Sequence, residues 1–168
     1  RILVGVDVSG SMSWDRCTGA SVLEPVEAAA AITLQLLQTE ENVRVIAFDT
    51  AVHQPGLSRR QRFDDVARKL ASYGGGTDIS LPLNYAIEQR QEVDAFVVLT
   101  DTETWAGREH PAQALARYRE TINPNAKIAV LAFTANHGSI VPEDDPRAFG
   151  VVGFDAAVPE LLREFLAD

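Results

Sequence analysis

Residues 4–14 read VGVDVSGSMSW, and the fold turns on how they are read. A hydrophobic run stops at an acid, Asp7. Ser9 and Ser11 follow at alternate positions, with Gly10 between them. A strand buried on both faces reads as a continuous apolar run. Residues 1–8, RILVGVDV, fit that description, and so do VRVIAFD (43–49), AFVVLTD (95–101) and KIAVLAFT (127–134). Each run closes on polar or small residues.

Helical patterns lie between these runs. Residues 22–38 are rich in Ala and Leu, and 62–72 carry Phe63, Val66, Ala67 and Leu70 at helical spacing. Helices are also expected over 80–90, over 111–121 with Pro111 suited to the first turn, and over 156–167. A short strand at 51–53 would form an antiparallel sheet edge, and GVVGF (150–154) a further strand before the last helix. NHGSIVPEDDPRAFG (136–150) reads as a surface loop. Strands alternating with helices imply a mostly parallel sheet covered on both faces, a doubly wound α/β domain of three αβα layers. At 168 residues the chain suits one domain.

The bulk composition narrows the function classes. With 46% hydrophobic and 23% charged residues, the chain is ordinary globular material. The net charge of −9 repels phosphate backbones and argues against nucleic-acid binding by this domain alone. A single cysteine, Cys17, forms no internal disulfide and points to a reducing, cytoplasmic compartment. No apolar stretch approaches the roughly 20 residues needed to span a membrane. The chain opens on strand-like residues without Met or leader, so we expect a domain excised from a longer protein, monomeric on its own.

In open α/β sheets, ligands gather at the carboxyl ends of the strands. Three unusual segments should meet there: Asp7–Ser11, the GGGTD of residues 74–78, and LTDTET, which leaves its strand at Asp101. They offer carboxylates from Asp7 and Asp101 and hydroxyls from Ser9, Ser11 and Thr77. These are hard donors with no soft ligand among them, which favours Mg²⁺, with Mn²⁺ or Ca²⁺ as alternatives. A shell of neutral hydroxyls would leave the ion much of its charge, and an open position would draw a partner's Asp or Glu. Gly10 lets the loop turn, and Gly74–Gly76 let the backbone approach and deliver Thr77. Alone, the glycine run fits a flexible turn equally well, with Thr77, Asp78 or Ser80 capping the next helix. The coincidence of three segments favours the metal.

DVSGS, GGTD and LTD, in that order, resemble the metal-ion-dependent adhesion site of von Willebrand factor A domains. The resemblance implies a six-stranded sheet of order 3-2-1-4-5-6 with strand 3 antiparallel. It implies the metal ligands Asp7, Ser9, Ser11, Thr77 and Asp101, and capture of a partner's acidic side chain through the ion. GGGTDISLPL, LTDTETWAGREHPAQALARYR and the later GFD are similar, more narrowly, to the C-terminal A domain of the Ro autoantigen family. In that family a ring of helical repeats precedes the A domain and binds small noncoding Y RNAs and the ends of misfolded RNAs. The ring is not among these residues, so RNA binding would belong to the parent protein. Arginine outnumbers lysine, which fits a bacterial source.

Other residues read more plainly. Trp14 and Trp105 each follow a metal loop and are expected to pack against the body, or one of them to line the metal face. Arg59, Arg60, Arg62, Arg68 and Lys69 form the one basic run, read as a solvated helix face. Asp78 caps a helix or supports the ligands from behind. His110 should start a helix, and no histidine pair has metal or triad spacing. Cys17 should be buried and inert. A phosphotransfer or hydrolytic enzyme is disfavoured: there is no G-x-x-x-x-G-K-[ST] loop and no G-x-S-x-G elbow. Partner recognition and a scaffold whose ion only staples loops remain as competing roles.

Overall fold

The computed structural model describes residues 1–20, 22–101, 109–134, 141–142 and 144–167. Six strands form one sheet: β1 Ile2–Asp7, β2 Val43–Phe48, β3 Val52–His53, β4 Ala95–Thr100, β5 Lys127–Ala132 and β6 Ala148–Val152. Their order is β3-β2-β1-β4-β5-β6. Only β3 runs antiparallel, against β2. Five α-helices complete the layers: α1 Pro25–Thr39, α2 Phe63–Ala71, α3 Leu81–Glu88, α4 Pro111–Thr121 and α5 Val158–Ala167.

Side chains alternate across the strands with period two, so each strand feeds two cores. Val4 and Val6 of β1, Val97 and Leu99 of β4, and Ala129 and Leu131 of β5 face α1, α2 and α5. Leu3, Phe96, Val98, Ile128 and Val130 face α3 and α4. Both faces are therefore dry, which is why the strands read as unbroken apolar runs. Gly5 sits where α3 crosses β1; a β-carbon there would come within 2.6 Å of Pro82 Cγ. That close crossing brings the start of α3, and Thr77 just before it, up to the end of β1.

Two expected boundaries move. The first helix begins at Pro25 rather than at residue 22. Pro25 takes the first helical position, and the Glu24 N–H donates to Glu27 Oε1 at 2.9 Å. The last strand begins at Ala148, inside the stretch read as loop. It is an edge strand, half-buried at Ala148, Phe149 and Val151 and exposed at Gly150 and Val152, and its weak hydrophobic pattern hid it. Residues 136–140 of that expected loop lie outside the described residues. Among the described residues, no helix is long and apolar enough to cross a membrane.

Candidate metal centre

β1 and β4 are parallel neighbours, with Val6 level with Leu99, so Asp7 and Asp101 leave the sheet side by side. This is the point where the chain's crossovers turn to opposite sides of the sheet. Beyond Asp7 the chain bends into a 3-10 turn, Gly10–Ser13. The Ser9 N–H donates to Asp7 Oδ1 at 2.8 Å and fixes that bend. The Ser11 hydroxyl donates to Asp101 Oδ2 and ties the two strand ends together. The third segment arrives through its backbone: the Gly10 N–H donates to the Gly75 carbonyl at 3.3 Å.

Asp7, Ser9 and Asp101 are buried, while Ser11 and Thr77 are half-exposed toward the same edge. Direct hydrogen bonds thus pair Ser9 with Asp7 and Ser11 with Asp101. Among the described residues no side-chain hydrogen bond joins Thr77 to them. Its segment is held instead by the Gly10–Gly75 bond and by the Asp78 N–H, which donates to the Asp49 carbonyl at 2.9 Å.

Two residues that hold the site were not singled out from sequence. Thr100, fully buried, donates its hydroxyl to Asp7 Oδ2 at 2.8 Å, so both carboxylate oxygens of Asp7 are engaged. Its position in LTD, next to a candidate ligand, was the available signal. Asp49 closes β2. Its Oδ1 accepts the Ala51 N–H at 2.9 Å and meets His53 Nε2 at 3.0 Å. Gly75, with φ of +128°, passes so close to Asp49 that a β-carbon there would lie 3.3 Å from Oδ2. Glycine is needed for both reasons.

The electrostatics of the cluster are unfavourable as the protein alone provides them. Burial pushes the Asp7 carboxyl up to about 6, and the nearby Asp101 charge adds to the rise, against hydrogen bonds from Ser9 and Thr100. Burial likewise raises Asp101 above the ordinary carboxylate range, with the Ser11 hydrogen bond opposing it. Two buried side-chain oxygens of the cluster, Ser9 Oγ and Asp101 Oδ1, have no hydrogen-bond partner among the described residues. Buried polar atoms are nearly always paired. A hard cation at this edge would satisfy both atoms and reverse the charge penalty, so the donor set fits Mg²⁺. Among the described residues no three His, Cys, Asp or Glu side chains cluster.

Residues 1–166 match the family described as the Ro60 vWA domain. The chain belongs to that family. It is 38% identical over 166 residues to the RNA-binding protein RO60 of Deinococcus radiodurans, covering 98% of this chain and 31% of that protein. It is 34% identical to the RNA-binding protein RO60 of Caenorhabditis elegans, covering 99% of this chain and 26% of that protein. The crystal structure of the D. radiodurans Ro (RSR) protein superposes with a TM-score of 0.87 at 35% identity, over 99% of this chain and 34% of that one. The chain therefore spans roughly a quarter to a third of the Ro60 relatives it matches, and its three-layer fold is that of a vWA domain.

The remaining expectations fall out as follows. Trp14 is 72% exposed at the rim of the Ser9–Ser11 loop, so it does not pack into the body. Trp105 lies outside the described residues. Asp78 Oδ1 accepts the Ser80 N–H at 3.1 Å and hydroxyl at 2.7 Å and so holds the turn into α3. His110 starts α4, its Nδ1 accepting the Ala112 N–H at 3.1 Å. Arg59, Arg60, Arg62, Arg68 and Lys69 are all exposed. Cys17 is buried, and burial pushes its thiol up to about 11.

Proposed function

We propose that Asp7, Ser9, Ser11, Thr77 and Asp101 hold a divalent cation, Mg²⁺ first, in a partner-recognition domain of a Ro-type RNA-binding protein. The observation that carries this reading is the pair of orphaned buried oxygens, Ser9 Oγ and Asp101 Oδ1, in a cluster that also crowds two buried carboxyls. When bound, the ion supplies a positive centre able to take one further anionic oxygen. Ser9, Ser11 and Thr77 offer neutral oxygens, while Asp7 and Asp101 balance the charge. The half-exposed Ser11 and Thr77 mark the side from which a partner's Asp or Glu approaches. Trp14 stands exposed beside them, and an aromatic on the rim of a charged site is a common anchor for a protein partner. That exposed ring favours recognition over a purely structural ion.

RNA contact, in this reading, belongs to a helical-repeat ring outside these 168 residues, because a net charge of −9 opposes a phosphate backbone. The protein works in the cytoplasm, where its thiol stays reduced and Mg²⁺ is plentiful.

Calorimetric titration with Mg²⁺, followed by acetate or a short Glu-containing peptide, tests the proposal. The wild-type chain should take one ion and bind the carboxylate only when it is present. Thr77→Ala should weaken Mg²⁺ binding about tenfold with the fold unchanged. Carboxylate binding that survives EDTA, or an unchanged Mg²⁺ affinity in Thr77→Ala, would count against it.

A further inference from the structure

The span that carries Thr77 rests on the β2–β3 hairpin at four points. Tyr73 stacks on the His53 ring, with centroids 4.7 Å apart and planes inclined by 23°. Gly75 passes against the Asp49 carboxylate, and a β-carbon on Gly76 would stand 3.1 Å from Thr50 Cγ2. After Thr77, the Asp78 N–H donates to the Asp49 carbonyl at 2.9 Å. Both ends and the middle of residues 73–78 are therefore seated on residues 49–53. The hairpin in turn refers Thr77 to the first ligand loop, because β2 lies beside β1 with Phe48 level with Asp7.

The hairpin is stiff. Ala47 and Phe48 pair with His53 and Val52 in the sheet. The Asp49 N–H donates to the Ala51 carbonyl at 3.1 Å, and the Ala51 N–H returns to Asp49 Oδ1 at 2.9 Å. His53 Nε2 lies 3.0 Å from the same oxygen. A carboxylate only accepts, so the imidazole N–H is the donor. One imidazole thus ties the buried Asp49 to the ring of Tyr73.

Stiffness at a cation site has a chemical consequence. Mg²⁺ needs near-octahedral oxygens at about 2.0–2.1 Å, whereas Ca²⁺ accepts flexible, larger shells at about 2.3–2.6 Å. A hydroxyl ordered before the ion arrives removes the ordering cost from binding. Held at a fixed position, it also resists the wider shell of the larger ion. On a slack loop it loses the first advantage and yields to the second ion.

We infer that His53 and Tyr73 are positioning residues that set ion specificity: through Asp49 they hold the Thr77 segment rigid, and so make the site discriminate Mg²⁺ from Ca²⁺. The inference rests on the metal reading above. Neither residue is among the proposed ligands; His53 is engaged through Nε2 by Asp49 and through its ring face by Tyr73.

The test is a set of thermal melts of the 168-residue chain, His53→Ala and Tyr73→Leu, in EDTA and across Mg²⁺ and Ca²⁺ series. The rise in melting temperature gives a dissociation constant for each ion. The wild type should prefer Mg²⁺. His53→Ala should weaken Mg²⁺ binding about tenfold and Ca²⁺ binding by less, so that the preference shrinks. Tyr73→Leu removes only the stack, should act in the same direction, and carries the test if His53→Ala does not fold. A purely structural role would lower the metal-free melt and leave the ratio of the two constants where it was. An unchanged Mg²⁺ constant, or an equal loss for both ions, in a folded variant overturns the inference and leaves the metal reading standing. A wild type that prefers Ca²⁺ does the same. A wild type whose melt neither ion raises overturns the metal reading and this inference together.

Discussion

Replacing Asp7 by Asn should make the metal-free chain more stable at pH 7 while abolishing its use of Mg²⁺. Asp7 is fully buried at the end of β1, and burial raises its carboxyl from 3.8 to about 6. Below pH 3.8 both the folded and unfolded chains keep the proton, and the group contributes nothing. Between pH 3.8 and 6 the unfolded chain ionises while the folded chain resists, so stability falls as pH rises. Above pH 6 the penalty is complete. At about 1.4 kcal/mol per unit, the shift amounts to roughly 3 kcal/mol. Asn carries no such penalty. Its oxygen can still accept the Ser9 N–H, but its amide now meets the Thr100 hydroxyl where a carboxylate oxygen accepted from it. That mismatch takes back about 1 kcal/mol.

The expected gain is therefore about 2 kcal/mol at pH 7, or about 4–8 °C in melting temperature for a chain of this size. Thermal melts of both proteins in EDTA at pH 4, 5.5 and 7 measure it. Because Asp49, Asp94, Glu109 and Asp145 are lowered rather than raised, their titrations tilt the wild-type profile the other way. The difference between the two proteins isolates Asp7. Adding Mg²⁺ at a hundred times its dissociation constant should stabilise the wild type by about 2.7 kcal/mol and leave the Asn variant unmoved. The order of the two melting temperatures should then invert or close. An Asn variant no more stable than wild type at pH 7, or equally favoured at pH 4 and pH 7, would refute the reasoning.

Gly5→Ala should destabilise the fold by about 1–3 kcal/mol, since its β-carbon would stand 2.6 Å from Pro82 Cγ and 2.9 Å from Pro82 Cβ; a lower melting temperature and weaker Mg²⁺ binding check it, because α3 carries Thr77 with it. Cys17 should react with a thiol reagent at pH 8 only as fast as the chain unfolds, its thiol being buried and pushed up to about 11; rapid labelling of the native chain would contradict that.

Much of the fold was legible because a parallel sheet covered on both faces leaves a strong local trace. Ile2–Asp7 and Ala95–Thr100 are buried almost throughout, and their sequences contain no polar interruption before the last residue. Ala148–Val152 is an edge strand with Phe149 and Val151 half-buried, so its pattern dissolved into the neighbouring loop. The Ala- and Leu-rich run of residues 22–38 suggests a helix from residue 22, yet Val22 is 88% exposed and Pro25 sets the true start. The ligand candidates were visible because Asp7, Ser9 and Ser11 lie within one turn of chain, and because Thr77 and Asp101 follow strong local signals, a glycine run and a strand end. Thr100 and Asp49 were not, since a threonine and an aspartate at the ends of strands are common and only the fold shows what they touch.

The local and the distant signals also differ in energetic character. The residues that formed the motif are those that strain the fold: buried carboxyls whose ionisation is resisted, and hydroxyl and carboxylate oxygens left unpaired. The residues that the sequence hid are those that satisfy it: Thr100 on Asp7 and Asp49 on the 75–78 turn. A domain that only had to fold would do better with a paired or apolar cluster at the end of β1. Local rules are broken where something outside the chain completes the site, and the break is itself the sequence signal. Asp7, Ser9 and Asp101 are legible for the same physical reason that they should bind a cation.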